Sequence, residues 1–126
     1  MLTIETLHHV SLPVSDIDTA MHFYGNVLGL QEIPRPHFSF RGAWYRVRDR
    51  DLHLIVAEHP TFRAGKDIDS HDIHFAVRVK SYRRAVEYLS SKGFAADDNE
   101  KARPMRLNPT GRAGFPQIYI LIPTPT

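Results

Sequence analysis

The chain contains no cysteine among its 126 residues. It can therefore form neither disulfides nor thiolate-bound zinc or iron–sulfur sites, and it has no thiol nucleophile. Any metal ion would have to be held by His, Asp, Glu or backbone oxygen. No apolar run approaches the roughly 18–20 residues that cross a bilayer, and the N-terminus lacks the basic-then-apolar pattern of a signal peptide. We therefore expect a cytoplasmic protein with no membrane partner.

An excess of charge of one sign is also missing. Lys and Arg total 16 and Asp and Glu total 14, which gives a formal net charge of +2. No basic helix or aromatic-interleaved basic stripe accompanies this small surplus, so we expect no nucleic-acid partner. The apolar content of 42% is typical of a globular chain, and the length suits one domain or two small modules that share a core. Histidine is the abundant residue, with eight copies.

The order of apolar and polar residues predicts alternating strands and helices. Val10, Leu12 and Val14 alternate as in a strand, whereas Ala20 and Phe23 begin a three- and four-residue helical spacing after possible caps at Ser15 and Asp16. We predict strands or extended segments at 3–14, 31–37, 42–48, 51–57, 72–79 and 114–122, helices at 16–28 and 81–92, a hairpin turn at 49–51, a linker at 58–71, and a weakly structured stretch at 94–110.

The two halves of the chain resemble each other at an offset of 65 residues, which aligns His9 with His74 and Val14 with Val79. Chance similarity between two amphipathic helices is the alternative, but it does not explain the aligned histidines. The same offset aligns His53 with Ile118. A second alignment, of Gly42 with Gly114, places an insertion within 95–113 and leaves the second half without its last strand. Both alignments predict a first module at 1–60 and a second at 70–126.

Three histidines are candidate metal ligands: His9, His53 and His74. If two strand–helix–sheet units enclose a trough, all three can line it, and neutral imidazole binds Zn, Ni, Mn, Co or Fe. For each residue the alternative is an ordinary hydrogen-bonded strand histidine. The aromatic side chains of Trp44 and Tyr45 suit either a pocket wall or core packing. The other histidines are expected at the surface or beside the ligands: His8, His22, His37, His59 and His71.

Three segments carry a family resemblance: LHHVSLPVSDIDTAMHFYGNVLGL at 7–30, GAWYRVRDRDLHLIV at 42–56 and DIHFAVRV at 72–79. The chain resembles the vicinal oxygen chelate superfamily, which includes glyoxalase I, extradiol dioxygenases, and fosfomycin- and bleomycin-resistance proteins. The resemblance implies an α+β fold of two βαβββ modules that form a curved mixed sheet around a trough. It also implies a homodimer and a divalent metal ion that is chelated by vicinal oxygens of a small-molecule substrate.

The resemblance also assigns site residues. His9 matches the first metal ligand, His53 the ligand on the fourth strand, and His74 the ligand that opens the second module. The fourth ligand of the family is usually a Glu, which is missing from QIYILIPTPT, where Tyr119 is the nearest candidate. Trp44, Tyr45 and Tyr119 are then the expected substrate-binding residues.

Three functional interpretations follow from the resemblance. The first is a metal-dependent lyase or isomerase of the glyoxalase type, or a group-transfer enzyme. The second is a non-catalytic protein that binds a drug or metabolite and has a degenerate metal site. The third is a structural relative that has lost its function. An Fe(II) dioxygenase requires two His and one carboxylate, so an all-histidine set argues against that chemistry.

Overall fold

The computed structural model describes residues 1–57, 67–71, 73–97, 101–111 and 114–121. The strands are β1 (His9–Val14), β2 (Gln31–Ile33), β3 (Gly42–Val47), β4 (Arg50–Val56), β5 (Phe94–Ala95), β6 (Arg103–Asn108) and β7 (Gln117–Ile120). The helices are α1 (Ile17–Met21), a π-helical segment (His22–Val27) and α2 (Tyr82–Ser91). The predicted α+β class is confirmed. Within the described residues, no helix is both long and apolar enough to cross a membrane.

The chain divides into two compact units. Unit 1 contains the described residues up to 57, and unit 2 contains the described residues from 67 to 121. Most of the predicted linker at 58–71 lies outside the described residues, as does the end of the predicted strand 114–122.

The sheet of unit 1 has the strand order β1-β4-β3-β2. β1 runs parallel to β4, and the other neighbours are antiparallel. Because side chains alternate across a strand, each strand presents one row to the helix and one to the opposite side. The buried row on the sheet includes Ala43, Tyr45, Leu52 and Leu54. The helical layer adds its own buried residues: Ile17, Ala20, Phe23, Tyr24 and Val27.

The first helix begins where the sequence predicts, with Asp16 as the N-cap. Its carboxylate accepts hydrogen bonds from the backbone N–H groups of Asp18 at 3.0 Å and Thr19 at 3.3 Å. The predicted helix at 16–28 is confirmed for Ile17–Val27, but its second half is wound as a π-helix. The wider winding is closed by a bond from Leu28 N–H to Phe23 C=O at 2.9 Å. Phe23 and Tyr24, although adjacent, are both buried in this segment.

Unit 2 begins with a difference from the prediction. Residues 73–79 form no strand, although Ile73, Val77 and Val79 alternate as predicted, and these side chains are exposed. Asp72 lies outside the described residues. Helix α2 is capped as predicted by Ser81, whose Oγ accepts a bond from the backbone N–H of Arg84 at 3.2 Å.

The stretch 94–110, predicted to be weakly structured, contains β5 and β6, so that prediction is wrong. The charged residues of β6 hide a period-two pattern in which Met105 and Leu107 share one face. Met105 is buried and pairs with Ile120 of β7, and Leu107 pairs with Ile118. The order within this sheet is β5-β6-β7. Alternation therefore decides the conformation here despite the polar composition.

The strand order also corrects the alignment that left the second module without its last strand. In both units an antiparallel pair follows the helix and a first short strand, so β6 and β7 correspond to β3 and β4. Trp44 pairs with His53 on the open side of unit 1, and Arg106 pairs with Tyr119 on the face opposite the buried Met105 in unit 2. Tyr119 therefore lies on the face of β7 that corresponds to the face of His53 on β4, one residue from Ile118, which the offset of 65 aligns with His53.

The β3–β4 hairpin turns one residue earlier than predicted, at Arg48 and Asp49. Arg48 has a φ of 59°, the left-handed region that costs a non-glycine residue about 1–2 kcal/mol. We expect Arg48→Gly to raise the free energy of unfolding by about 1 kcal/mol, because glycine adopts this conformation without a Cβ clash. Chemical denaturation measures this change. Arg48→Ala is the matched control, and an equal gain from alanine would show that charge, not backbone strain, is responsible.

Candidate functional site

One face of the unit 1 sheet, here called the open face, lies opposite the helical layer. It receives His9 from β1, Trp44 from β3 and His53 from β4. The alternation of β4 sends Leu52 and Leu54 into the core and His53 to the open face. The parallel register places Ser11 beside His53 and His9 beside Asp51, so His9 and His53 lie on adjacent strands of the same face.

The imidazole of His53 is enclosed by two other rings. Its centroid lies 4.0 Å from that of Trp44, with an interplanar angle of 7°. On the other side it lies 4.3 Å from the ring of His9, at 20°. As a result His53 is only 8% exposed, although it belongs to the face away from the helix. The structure thus brings together two of the three predicted ligands.

Within the described part of the chain, the buried Nε2 of His53 has no hydrogen-bond partner. The nearest anionic atom is Oδ2 of Asp51, at 3.6 Å. Burial lowers the pKa of His53, the neighbouring His9 and His8 add to this effect, and Asp51 opposes it. A neutral ring with an unpartnered buried nitrogen is the form of histidine that binds a metal ion.

Asp51 is a site residue that sequence reasoning missed. It accepts a hydrogen bond from Arg46 Nε at 2.8 Å, and this ion pair lies on the open face beside His53. Partial burial acts to raise the pKa of Asp51, but the Arg46 guanidinium outweighs it and holds the pKa below its usual range. The available signal was the period of two, because Asp51 and His53 lie two residues apart on one strand.

His8 contacts His9 directly, with 2.9 Å between the two Nδ1 atoms. The two rings meet edge to face at a centroid distance of 5.1 Å. This contact engages Nδ1 of His9, so a metal ion at His9 would use Nε2. The expectation that His8 lies beside a candidate ligand agrees with this placement.

Unit 2 repeats part of the arrangement. The ring of His74 lies 6.4 Å from that of Tyr119, at 74°. Tyr119 lies on the face of β7 that corresponds to the face of His53 on β4, and its Oη donates a hydrogen bond to Gln117 Oε1 at 3.2 Å. The predicted ligand His74 therefore adjoins the residue predicted at the fourth-ligand position. Within the described parts of the chain, no group of three or more His, Asp or Glu is arranged to hold a metal ion. The three-histidine site thus stays a prediction.

The structure separates Tyr45 from this surface. Tyr45 is 2% exposed and faces the helical layer, where its ring lies 6.3 Å from Tyr24. Tyr45 is therefore a core residue, whereas its neighbour Trp44 lies on the open face. His22, His37 and His71 are exposed as expected, and His59 lies outside the described residues.

Comparison with known proteins places the chain in a family. Residues 6–108 match the model of the Glyoxalase/Bleomycin resistance protein/Dioxygenase superfamily. A curated relative from Arabidopsis thaliana, described as Glyoxylase I 4, is 34% identical over 94 residues. These residues make up 73% of this chain and 54% of the relative, so the chain spans about half the length of that protein. The chain belongs to the Glyoxalase/Bleomycin resistance protein/Dioxygenase superfamily, as the sequence resemblance predicts.

Solved structures support the same fold. A glyoxalase family protein from Bacillus anthracis superposes with a TM-score of 0.73 at 19% identity, over 98% of this chain and 90% of that chain. A lactoylglutathione lyase from Agrobacterium tumefaciens gives a TM-score of 0.63 at 18% identity, over 96% and 88%. At these identities the likeness concerns the fold and not the reaction.

The burial of His53 makes the stability of the metal-free protein depend on pH. The folded state holds the pKa of His53 below the value of about 6.5 expected in the unfolded chain. The unfolded state therefore binds more protons at acidic pH, and stability is complete above about pH 6.5 and falls as the pH drops through the folded pKa. We expect His53→Gln to flatten this fall relative to His22→Gln in melting curves recorded with EDTA. Equal slopes in the two variants would contradict this expectation.

Proposed function

We propose that the protein is a metal-dependent enzyme of the glyoxalase type that acts on a small molecule with vicinal oxygens, as a lyase or isomerase or by group transfer. The observation that carries the proposal is the buried Nε2 of His53, which has no hydrogen-bond partner among the described residues and lies beside His9 on the open face. An orphaned buried nitrogen costs about 1–3 kcal/mol, and a bound cation would remove that cost. Family membership supports the same class of chemistry.

The proposed metal ligands are His9, His53 and His74. Neutral imidazoles suit Zn, Ni, Mn, Co or Fe, so the donor set fits a divalent transition-metal ion. The carboxylate of Asp51 lies 3.6 Å from His53 Nε2 and would add negative charge near a cation held by that nitrogen. When bound, such an ion supplies Lewis acidity that polarises a substrate oxygen and lowers the pKa of a bound hydroxyl.

The remaining residues position the substrate and determine which proton transfers are available. The half-buried indole of Trp44 lies against His53, where its exposed edge can orient a bound molecule. Tyr119 replaces the Glu that the family resemblance leads one to expect. A phenol does not supply the carboxylate base of a glyoxalase reaction. We therefore expect catalysis to depend more on polarisation of the substrate than on general-base catalysis by a carboxylate at this position.

We also propose that the protein works in the cytoplasm as a homodimer. The exposed apolar residues of 73–79 support self-association, because Ile73, Val77 and Val79 are each more than half exposed. Exposed apolar side chains of this kind are typical of surfaces that bind another chain.

Non-catalytic binding of a drug or metabolite is the second candidate function. It is favoured by the tyrosine at the expected carboxylate position and by the aromatic rings around His53. In that case the open face would retain its ligand without a metal ion. The metal-binding experiment below separates the two candidates.

Removal of one ligand tests the metal site. We expect Zn²⁺ or Ni²⁺ to raise the melting temperature of the untagged wild-type protein, since a ligand at 100 times its Kd stabilises by about 2.7 kcal/mol. His53→Ala should weaken metal binding at least tenfold in isothermal titration calorimetry. His22→Ala, an exposed histidine on the helix, should bind like wild type. Failure of Zn, Ni, Mn, Co and Fe(II) to bind wild type would overturn the enzyme proposal and leave the binding protein.

Restoration of the missing carboxylate tests whether the two histidine-containing sites share one ion. If His74 and the position of Tyr119 contribute to the same ion as His9 and His53, Tyr119→Glu should tighten metal binding at least tenfold, because it adds an anionic oxygen ligand. Gln117→Glu is the matched control, since it places the same charge two residues away on the same face of β7. Equal effects of both variants would mean that the added negative charge acts through long-range electrostatics and that position 119 does not bind the ion.

A further inference from the structure

We propose that the loop between β2 and β3, residues 34–41, determines substrate specificity, and that the substrate carries a planar aromatic ring which lies against Phe38 and Trp44. This inference rests on the proposed function, because it names the class of molecule that the open face receives. It also adds a residue of this loop, Arg35, as a positioning residue.

A continuous series of five rings carries the inference. It consists of Phe40, Phe38, Trp44, His53 and His9 and is called the ring series below. Phe38 and Phe40 are stacked at 5.1 Å and 9°, and Trp44 and His53 are stacked at 4.0 Å and 7°. Between these pairs, Phe38 and Trp44 stand 6.3 Å apart and are tilted by 48°. This is an ordinary contact distance for tilted rings, so the series is continuous, and a further ring can pack only on the accessible surfaces of Phe38 and Trp44.

The two phenylalanines are unusually accessible for their size. Phe38 is 39% exposed and Phe40 is 43% exposed, while the core of unit 1 contains the buried Phe23 and Tyr24. The loop therefore does not contribute these rings to the core. Two exposed aromatic rings adjacent to a half-buried Trp form an apolar surface with defined orientation, the kind of surface that receives an aromatic ligand.

Arg35 holds the loop in this shape. Its Nη2 donates a hydrogen bond to Phe40 C=O at 2.8 Å. Its guanidinium carbon also lies 4.8 Å from the ring centre of Phe38 and 5.1 Å from that of Phe40. One side chain thus fixes both the backbone and the rings. A surface ordered before binding loses less conformational entropy when the ligand arrives.

Gly42 makes this arrangement possible at the end of the loop. A Cβ at Gly42 would clash with Leu54 C=O and would lie 3.1 Å from Arg35 Nη2. Because Gly42 has no side chain, the guanidinium of Arg35 can lie over the start of β3, and β3 can pack closely against β4 at this point. The loop is positioned from two directions, by Arg35 and by close backbone packing.

The ring series ends at the proposed metal ligands. A ring bound against Phe38 and Trp44 would be separated from His9 by two rings, those of Trp44 and His53. A substrate whose aromatic ring is joined by a short linker to its vicinal oxygens fits both ends of the series.

The single tryptophan of the chain provides a direct readout, since only one indole N–H signal is expected in a ¹H–¹⁵N spectrum. The probes are 2-naphthoate and decalin-2-carboxylate, which share the carboxylate and the two-ring size but differ in aromaticity. We expect 2-naphthoate to shift the Trp44 signal and to bind at least tenfold more tightly than the saturated analogue. Equal affinities, or binding without a shift at Trp44, would overturn the inference.

Variants locate the contact. Phe38→Ala should weaken 2-naphthoate binding about tenfold, and the control Leu28→Ala, an exposed apolar residue next to the π-helical segment, should leave it unchanged. Arg35→Met should weaken binding several-fold at an unchanged melting temperature, and Arg35→Lys should restore part of it through the cation–π contacts. Full affinity in Arg35→Met would remove Arg35 from the inference.

A metal titration of Phe38→Ala keeps this inference apart from the proposed function. We expect Zn²⁺ or Ni²⁺ to bind this variant as tightly as wild type. If wild type binds metal but shows no preference for the aromatic probe, the inference fails alone. If wild type prefers the aromatic probe but binds no metal, the enzyme proposal fails and the aromatic specificity stands.

Discussion

Enclosure of the His53 ring between Trp44 and His9 is the interaction on which the open face depends. A polar side chain becomes buried there without entering the core, because flat rings cover both of its faces. Burial lowers the pKa of the imidazole and so favours its neutral form, which is the form that binds metal ions. The same three rings form an apolar surface beside Nε2 of His53, which has no hydrogen-bond partner among the described residues. Electrostatics and packing at this site therefore have one physical origin.

In our proposal, the two ends of the ring series bind different parts of the substrate. The end at His9 and His53 offers nitrogen atoms and lies near the carboxylate of Asp51, so it suits a cation and polar oxygens. The end at Phe38 and Phe40 offers ring faces fixed by Arg35. Trp44 belongs to both. Members of a family that share a scaffold can differ in substrate specificity through the loop that carries Phe38 and Phe40 while the strands that carry His9 and His53 stay the same, because these residues lie on different elements.

Much of unit 1 could be predicted from the sequence, and the reason is its patterning. The apolar spacing from Ala20 to Val27 and the cap at Asp16 both indicate one helix with one buried face. Unit 2 was harder, since Met105 and Leu107 are separated and flanked by charged residues, and a proline lies inside the strand. Its register, in which Arg106 pairs with Tyr119, is not marked by any turn or apolar pattern in the sequence. Sequence alone also could not distinguish Trp44 from Tyr45, because adjacent aromatics in a strand face opposite sides and either side can be the core.

The parallel pairing of β1 with β4 has a consequence for how unit 1 is assembled. β3 and β4 are joined by two residues and can pair as soon as both have been synthesised. Within the described sheet, β1 can pair only with β4, and the helices, β2 and β3 lie between β1 and β4 in the sequence. The pairing of the strand that carries His9 closes a longer loop than the β3–β4 hairpin, so we expect this strand to dock after the hairpin has formed. Because the His9 ring covers one face of His53, that docking would also complete the enclosure of His53.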